Sequence, residues 1–262
     1  MFRFPLTNAI IAACLVFGAP TARADDLDSL INLELAFRDT ILQTPAPKRF
    51  QQLIRDGETT ITFVDDFSDS VGKTDFFLNL DWSFKYRYKT QTTDSVTSVL
   101  VTPENVKLQP RVRHVIRMPV ALYNAQVWES HLLAHEFDHV AISLDPRPRA
   151  LLVHLCGNLP TYQFPINGSE KPSDQQMRER INNDIKSRES AVLDLLRANY
   201  VALDKVSKHG GVAIQDRRAF FASLYSRSNL EATKFAYLRE VASLLESDQY
   251  RDLRPRQVPK GR

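Results

Sequence analysis

The 262-residue chain has only 8 glycines and 2 cysteines. So few glycines exclude a collagen-like repeat, and two cysteines cannot staple a chain of this size as a disulfide scaffold. An excess of one charge is also missing. The 34 basic and 31 acidic residues leave a formal net charge of +3, which carries no signature of a nucleic-acid partner. Beyond the amino terminus, no window is apolar over the roughly 20 residues that a membrane-spanning helix needs. What remains is 43% hydrophobic and 25% charged, the composition of a globular chain long enough to bury a sizeable core.

Residues 1–24 read as a secretory signal peptide. Arg3 supplies a positive start, Ala9 to Ala19 the apolar stretch, and Ala22-Arg23-Ala24 a small-residue cleavage site. The alternative is a lipobox at Ile11-Ala12-Ala13-Cys14, but the apolar run continues past Cys14 through Leu15, Val16 and Phe17. Removing the leader takes away Arg3, Arg23 and Cys14. The mature chain is then close to neutral and keeps Cys156 as its one cysteine, read as a small buried residue. The expected location is the periplasm or the medium.

Along the mature chain the periodicity predicts helix, then sheet, then helices, and hence one α+β domain over 25–250 with a basic tail over 251–262. A first helix is expected from Asp25 to Gln43, ended by Thr44-Pro45-Ala46-Pro47. Four strands are expected, in an antiparallel sheet. They are Thr59–Val64, the alternating Phe77–Tyr88, Ser95–Val101, and Arg111–Pro119 with its closing proline. Helical spacing then predicts helices over Gln126–Leu144, about Ser173–Lys208, Gln215–Tyr225 and Asn229–Leu245.

His135-Glu136-Phe137-Asp138-His139 is an H-E-x-x-H motif inside the best-patterned helix. Imidazoles four residues apart share one helical face and can grip a single ion. The glutamate one residue after the first histidine stands beside that ion, able to take a proton from a water. The spacing points to one zinc ion per chain, held by His135 and His139, with Glu136 as general base of an amide-bond hydrolase. The substrate would be a peptide or another amide.

Two imidazoles do not complete a zinc site, so a third protein ligand is required. Asp145 lies six residues after His139, but Ile142 stands where a glycine would turn the chain, so the helix should continue and aim Asp145 away. Glu189 or Asp194 on the long helix could deliver a carboxylate. His209, at a helix end against Gly210-Gly211, could deliver a third imidazole. The residues alone do not rank the last two options.

The segment from Trp128 to Ile142 resembles the core of a bacterial exported family of predicted zinc-dependent proteases, a domain of unknown function. The resemblance extends over about 55–225. A Tyr-Asp…Thr-His-Gly pattern is similar to Tyr200…Asp204…His209-Gly210, and strand motifs are similar to Asp81-Trp82-Ser83 and Met118-Pro119. Asp138 stands where that family carries a small residue, and Tyr200 and Asp204 are separated rather than adjacent. The resemblance implies a zincin-like α+β fold, a zinc-dependent protease activity, and His209 as the third ligand.

Other polar residues carry weaker signals. His131, one turn before His135, reads as a hydrogen-bonded neighbour or alternative ligand, and His154 as a core histidine. Asp138 reads as an acceptor for a ligand histidine or a solvent-facing residue. Arg111, Arg113, His114 and Arg117 read as a solvated strand face, with a substrate-pairing edge as the alternative. Tyr200 and His131 are the candidates for stabilising an oxyanion. The rival to a hydrolase is a non-catalytic exported module whose metal site is closed by a fourth ligand from Asp145, His131 or Glu189.

Overall fold

A 24-residue strand forms the spine of the fold. In a computed structural model describing residues 45–64, 72–93, 96–122, 127–166 and 171–256, strand β3 (Val96–Pro119) pairs with every other strand. Strand β2 (Lys73–Thr93) runs antiparallel to it over its full length. Strand β1 (Thr59–Val64) joins parallel, with Thr59 opposite His114, and the short β4 (Tyr162–Pro165) joins antiparallel near Val99. The sheet is therefore mixed rather than antiparallel. All of the described residues belong to the unit that begins at Thr44. The leader, Cys14, the expected helix at 25–43 and residues 257–262 lie outside the described residues.

The two strands expected at 95–101 and 111–119 are one. Thr102-Pro103-Glu104-Asn105 looks like a turn, yet the chain runs through it by a β-bulge. The register passes from Ser83↔Lys107 to Lys85↔Glu104, and Asn105 takes a left-handed φ of 52°. The extra residue flips the alternation, so odd-numbered Val99 and Val101 and even-numbered Ile116 and Met118 are all buried. The fourth strand is instead β4, in a stretch that reads as loop.

Helix α1 (Lys48–Asp56), which the periodicity did not predict, follows Pro47 and buries Phe50 and Leu53. The Phe50 ring stacks on Phe137 at 4.3 Å. A 3₁₀ turn (Val127–Glu129) leads to Ser130, whose side chain accepts from the Leu133 amide and starts α2 (His131–Ser143). Asp145 caps α3 (Pro146–Gly157), with Pro146 in its first turn. A Ser173–Gln176 capping box opens the 34-residue α4 (Asp174–Ser207), close to the expected bounds.

Helices α2 and α3 pack against the sheet and against α4, so the interior lies between sheet and helices. Short helices α5 (Arg217–Ser223), α6 (Arg227–Ala232), α7 (Ala242–Glu246) and α8 (Asp248–Arg251) follow. The single helix expected at 229–245 is interrupted. The chain leaves α6 through Thr233 and a left-handed Lys234, φ 54°. Among the described residues no helix is long and apolar enough to cross a membrane.

Candidate metal centre

Helix α2 is buried almost all round, which a soluble helix tolerates only when its polar side chains find partners. His135 and His139 meet Asp204 from the last turn of α4. Asp204 Oδ1 lies 3.0 Å from each Nε2, and the two Nε2 atoms are 3.2 Å apart. Among the described residues this is the one group of three or more His, Cys, Asp or Glu side chains whose ligand atoms converge, and it could hold a metal ion.

Three donors facing one another across 3.0–3.2 Å, on two rigid helices, are badly arranged as a hydrogen-bonded cluster. One carboxylate oxygen serves both rings, while the Nδ1 of His139 is buried without a partner. His135 is oriented from behind by Ser207 Oγ, 3.2 Å from its Nδ1. Burial works against the Asp204 carboxylate, but the hydrogen bonds from His135 and His139 outweigh it and hold the carboxyl well below its usual range.

Glu136 is buried beside this group. Its Oε2 accepts from Thr74 Oγ1 at 2.6 Å, which ties it to the start of β2. Burial raises its pKa above the usual carboxyl value, opposed by the neighbouring His139 and by the Thr74 hydrogen bond. Gly72 makes this approach possible, because a Cβ there would stand 2.6 Å from Glu136 Oε1.

No family model, curated protein or solved structure matches the chain. The assignment of roles therefore rests on the geometry.

His135, Glu136 and His139 come together as the spacing predicts; His209 does not join them. Helix α4 ends at Ser207, and Lys208, His209 and Gly210 all adopt left-handed backbone, φ 48°, 54° and 81°. This turn presses Gly210 onto His135, where a Cβ would come within 2.9 Å of the His135 Cβ. The His209 ring is left 65% exposed, with its Nδ1 3.8 Å from Asp204 Oδ1. Asp204, rather than the His209 that the resemblance implies, meets the two rings. The sequence carries a signal for it. Asp204 adjoins the buried stripe Asn199, Leu203 and Ser207, where a charged side chain needs a partner.

The other candidates are accounted for elsewhere. Helix α2 ends at Ser143, close to the expected Leu144, and Asp145 does not join the histidines; it is held by Arg147 through Nε–Oδ1 at 2.9 Å and Nη2–Oδ2 at 2.8 Å. Glu189 lies fifteen residues before Asp204, about 22 Å along the helix. Asp194 is exposed and pairs with Arg197. Asp138 is buried in a two-pronged pair with Arg217 of α5.

His131 is exposed at the first turn of α2, and His154 is half-buried, its Nε2 3.1 Å from the Glu240 carbonyl. Tyr200 packs its ring 4.5 Å from His139 with its hydroxyl buried.

The solvated-face and substrate-edge readings of His114 both fail. Strand β3 is flanked there by β1 and β2, and His114 is buried against the Gly57 carbonyl at 2.9 Å. Burial pushes its pKa down to about 4. Cys156 is buried as expected, its thiol pushed up to about 12 by burial.

Proposed function

We propose that the chain is an exported zinc metallohydrolase, a peptidase in the first instance, related to the bacterial family of predicted zinc-dependent proteases that its helix resembles. The observation that carries this is the triangle of His135 Nε2, His139 Nε2 and Asp204 Oδ1, with edges of 3.0–3.2 Å and Glu136 beside it. Ligand atoms of a tetrahedral zinc ion stand roughly 3.3 Å apart, given bonds of about 2.0–2.1 Å, so the three donors fit zinc with little movement. Two imidazoles and one carboxylate suit that ion. No fourth His, Cys, Asp or Glu joins them among the described residues, which supports a position open to substrate over a closed structural site.

Zinc bound there would lower the pKa of a water to about 7 and polarise a carbonyl. Glu136 takes the proton of the attacking water and passes it to the leaving amine. Burial brings its proton affinity closer to that of its partners, and the Thr74 hydrogen bond fixes the direction of the carboxylate. Ser207 holds the His135 ring from its Nδ1 side, so that Nε2 faces His139 Nε2 and Asp204 Oδ1, the donors that would share the ion.

The test uses the purified mature chain, zinc and dye-labelled casein. Glu136→Gln keeps zinc and lowers turnover by about 10²–10⁴-fold, the range general base catalysis contributes. Equal turnover by the variant and the parent chain removes Glu136 from the mechanism and, with it, this reading.

A further inference from the structure

We infer that His209 is a catalytic residue of this site, acting not as a metal ligand but as the hydrogen-bond donor to the oxyanion that develops at the attacked carbonyl. The inference rests on the hydrolase reading above. Its first support is access. His135 and His139 are almost fully buried, whereas Asp204 keeps 29% of its side chain exposed, so the cluster opens to solvent on the Asp204 side. His209 stands on that side, with its ring 65% exposed and Nδ1 3.8 Å from Asp204 Oδ1. A carbonyl that reaches the cluster from solvent meets this imidazole.

The second support is the backbone. Lys208 and His209 occupy the left-handed region consecutively, before Gly210 continues in it. Non-glycine residues seldom do this singly, and such conformations concentrate where a side chain must be aimed. The turn is anchored on both sides. His209 N–H donates to the Asp204 carbonyl at 3.0 Å, Gly210 N–H to Ser207 Oγ at 3.2 Å, and Val212 N–H to the Ser207 carbonyl at 2.9 Å. The same Ser207 hydroxyl lies against His135. One hydroxyl thus registers the turn carrying His209 to a ring of the metal cluster.

A donor fixed before reaction and aimed at developing charge accelerates the reaction without reorganising. Of the other residues considered for this role, Tyr200 packs on His139 with its hydroxyl buried away from solvent, and His131 is exposed on the first turn of α2.

The experiment compares the mature chain with His209→Gly, which removes the ring and suits a left-handed backbone, and His209→Gln, which retains a donor. Zinc affinity is measured by competition with a chelator. Affinity for phenylphosphonate, a tetrahedral anion, is read from the visible absorption of the cobalt-substituted protein. The expected result for His209→Gly is zinc affinity within about threefold of the parent and phenylphosphonate binding weakened about tenfold or more, with partial recovery in His209→Gln. Casein turnover falls about 10²–10³-fold in kcat with KM little changed.

Unchanged phenylphosphonate affinity in His209→Gly overturns the inference, and so does loss of zinc, which would make His209 a ligand. The anion arm does not depend on hydrolysis. If Glu136→Gln leaves casein cleavage unaltered while His209→Gly still loses the anion, the hydrolase reading fails and takes the oxyanion role with it, leaving His209 as an anion-binding residue.

Discussion

Helix α2 and the turn after it carry two kinds of buried polar group, and they differ in how completely each is satisfied. Asp138 with Arg217 and Asp145 with Arg147 are closed pairs, each carboxylate met by two guanidinium nitrogens. Arg147 also donates to the carbonyls of Phe221 and Ala222, so one side chain fastens α3 to α5. The His135–His139–Asp204 cluster, equally deep in part, leaves His139 Nδ1 without a partner and crowds three electron-pair donors around one point. Closed pairs specify where helices sit, whereas an arrangement of this open kind could hold a cation.

The contrast can be broken first at the closed pair. Arg147→Ala leaves Asp145 buried and uncompensated, and is expected to destabilise the chain by about 3–5 kcal/mol in denaturant unfolding. Zinc stoichiometry measured under native conditions should be unchanged. A loss below about 1 kcal/mol would show that the pair is not the clamp its contacts describe.

His114 sharpens the comparison from the other side, as a buried histidine bonded to the Gly57 carbonyl and Ser143 Oγ that joins no metal-ligating cluster among the described residues. Its pKa is held near 4 by burial, whereas the unfolded chain takes up the proton near 6.5. The unfolded state therefore binds more protons between those values. The stabilising contribution is complete above pH 6.5 and is lost as pH falls toward 4, about 3 kcal/mol in all. His114→Gln should flatten that part of the stability profile relative to the parent chain. Parallel profiles for the two proteins would contradict the assignment.

The smallest effect is expected where the sequence offered a carboxylate and the structure leaves it outside. Asp194→Ala removes an exposed pair with Arg197. It should change unfolding stability by no more than about 0.5 kcal/mol. Zinc affinity, measured by chelator competition, should stay at the parent value. A loss of zinc would place Asp194 in the centre after all.

How much of this was legible follows from the range of each signal. The H-E-x-x-H pair and its glutamate are set by the pitch of one helix, and the structure brings them together as that pitch requires. The long α4 is likewise legible from its helical spacing, and its observed bounds lie close to the expected ones. The third donor depends on where α4 crosses α2, a tertiary fact that the buried stripe beside Asp204 only hints at. The resemblance implies His209 for that place. Three successive left-handed residues instead leave its side chain on the solvent side of the cluster, 3.8 Å from Asp204 Oδ1, and Asp204 itself meets the rings. The bulge at Asn105 misled for a related reason: Pro103 and Asn105 are turn formers locally, and only pairing with β2 carries the strand through them.

The most direct test of this account is the zinc content and affinity of the mature chain beside Asp204→Ala, measured by elemental analysis and chelator competition. The account predicts one zinc per parent chain and an affinity lowered at least about a hundredfold in the variant, since two imidazoles alone hold the ion poorly. An Asp204→Ala chain that binds zinc as tightly as its parent would contradict it.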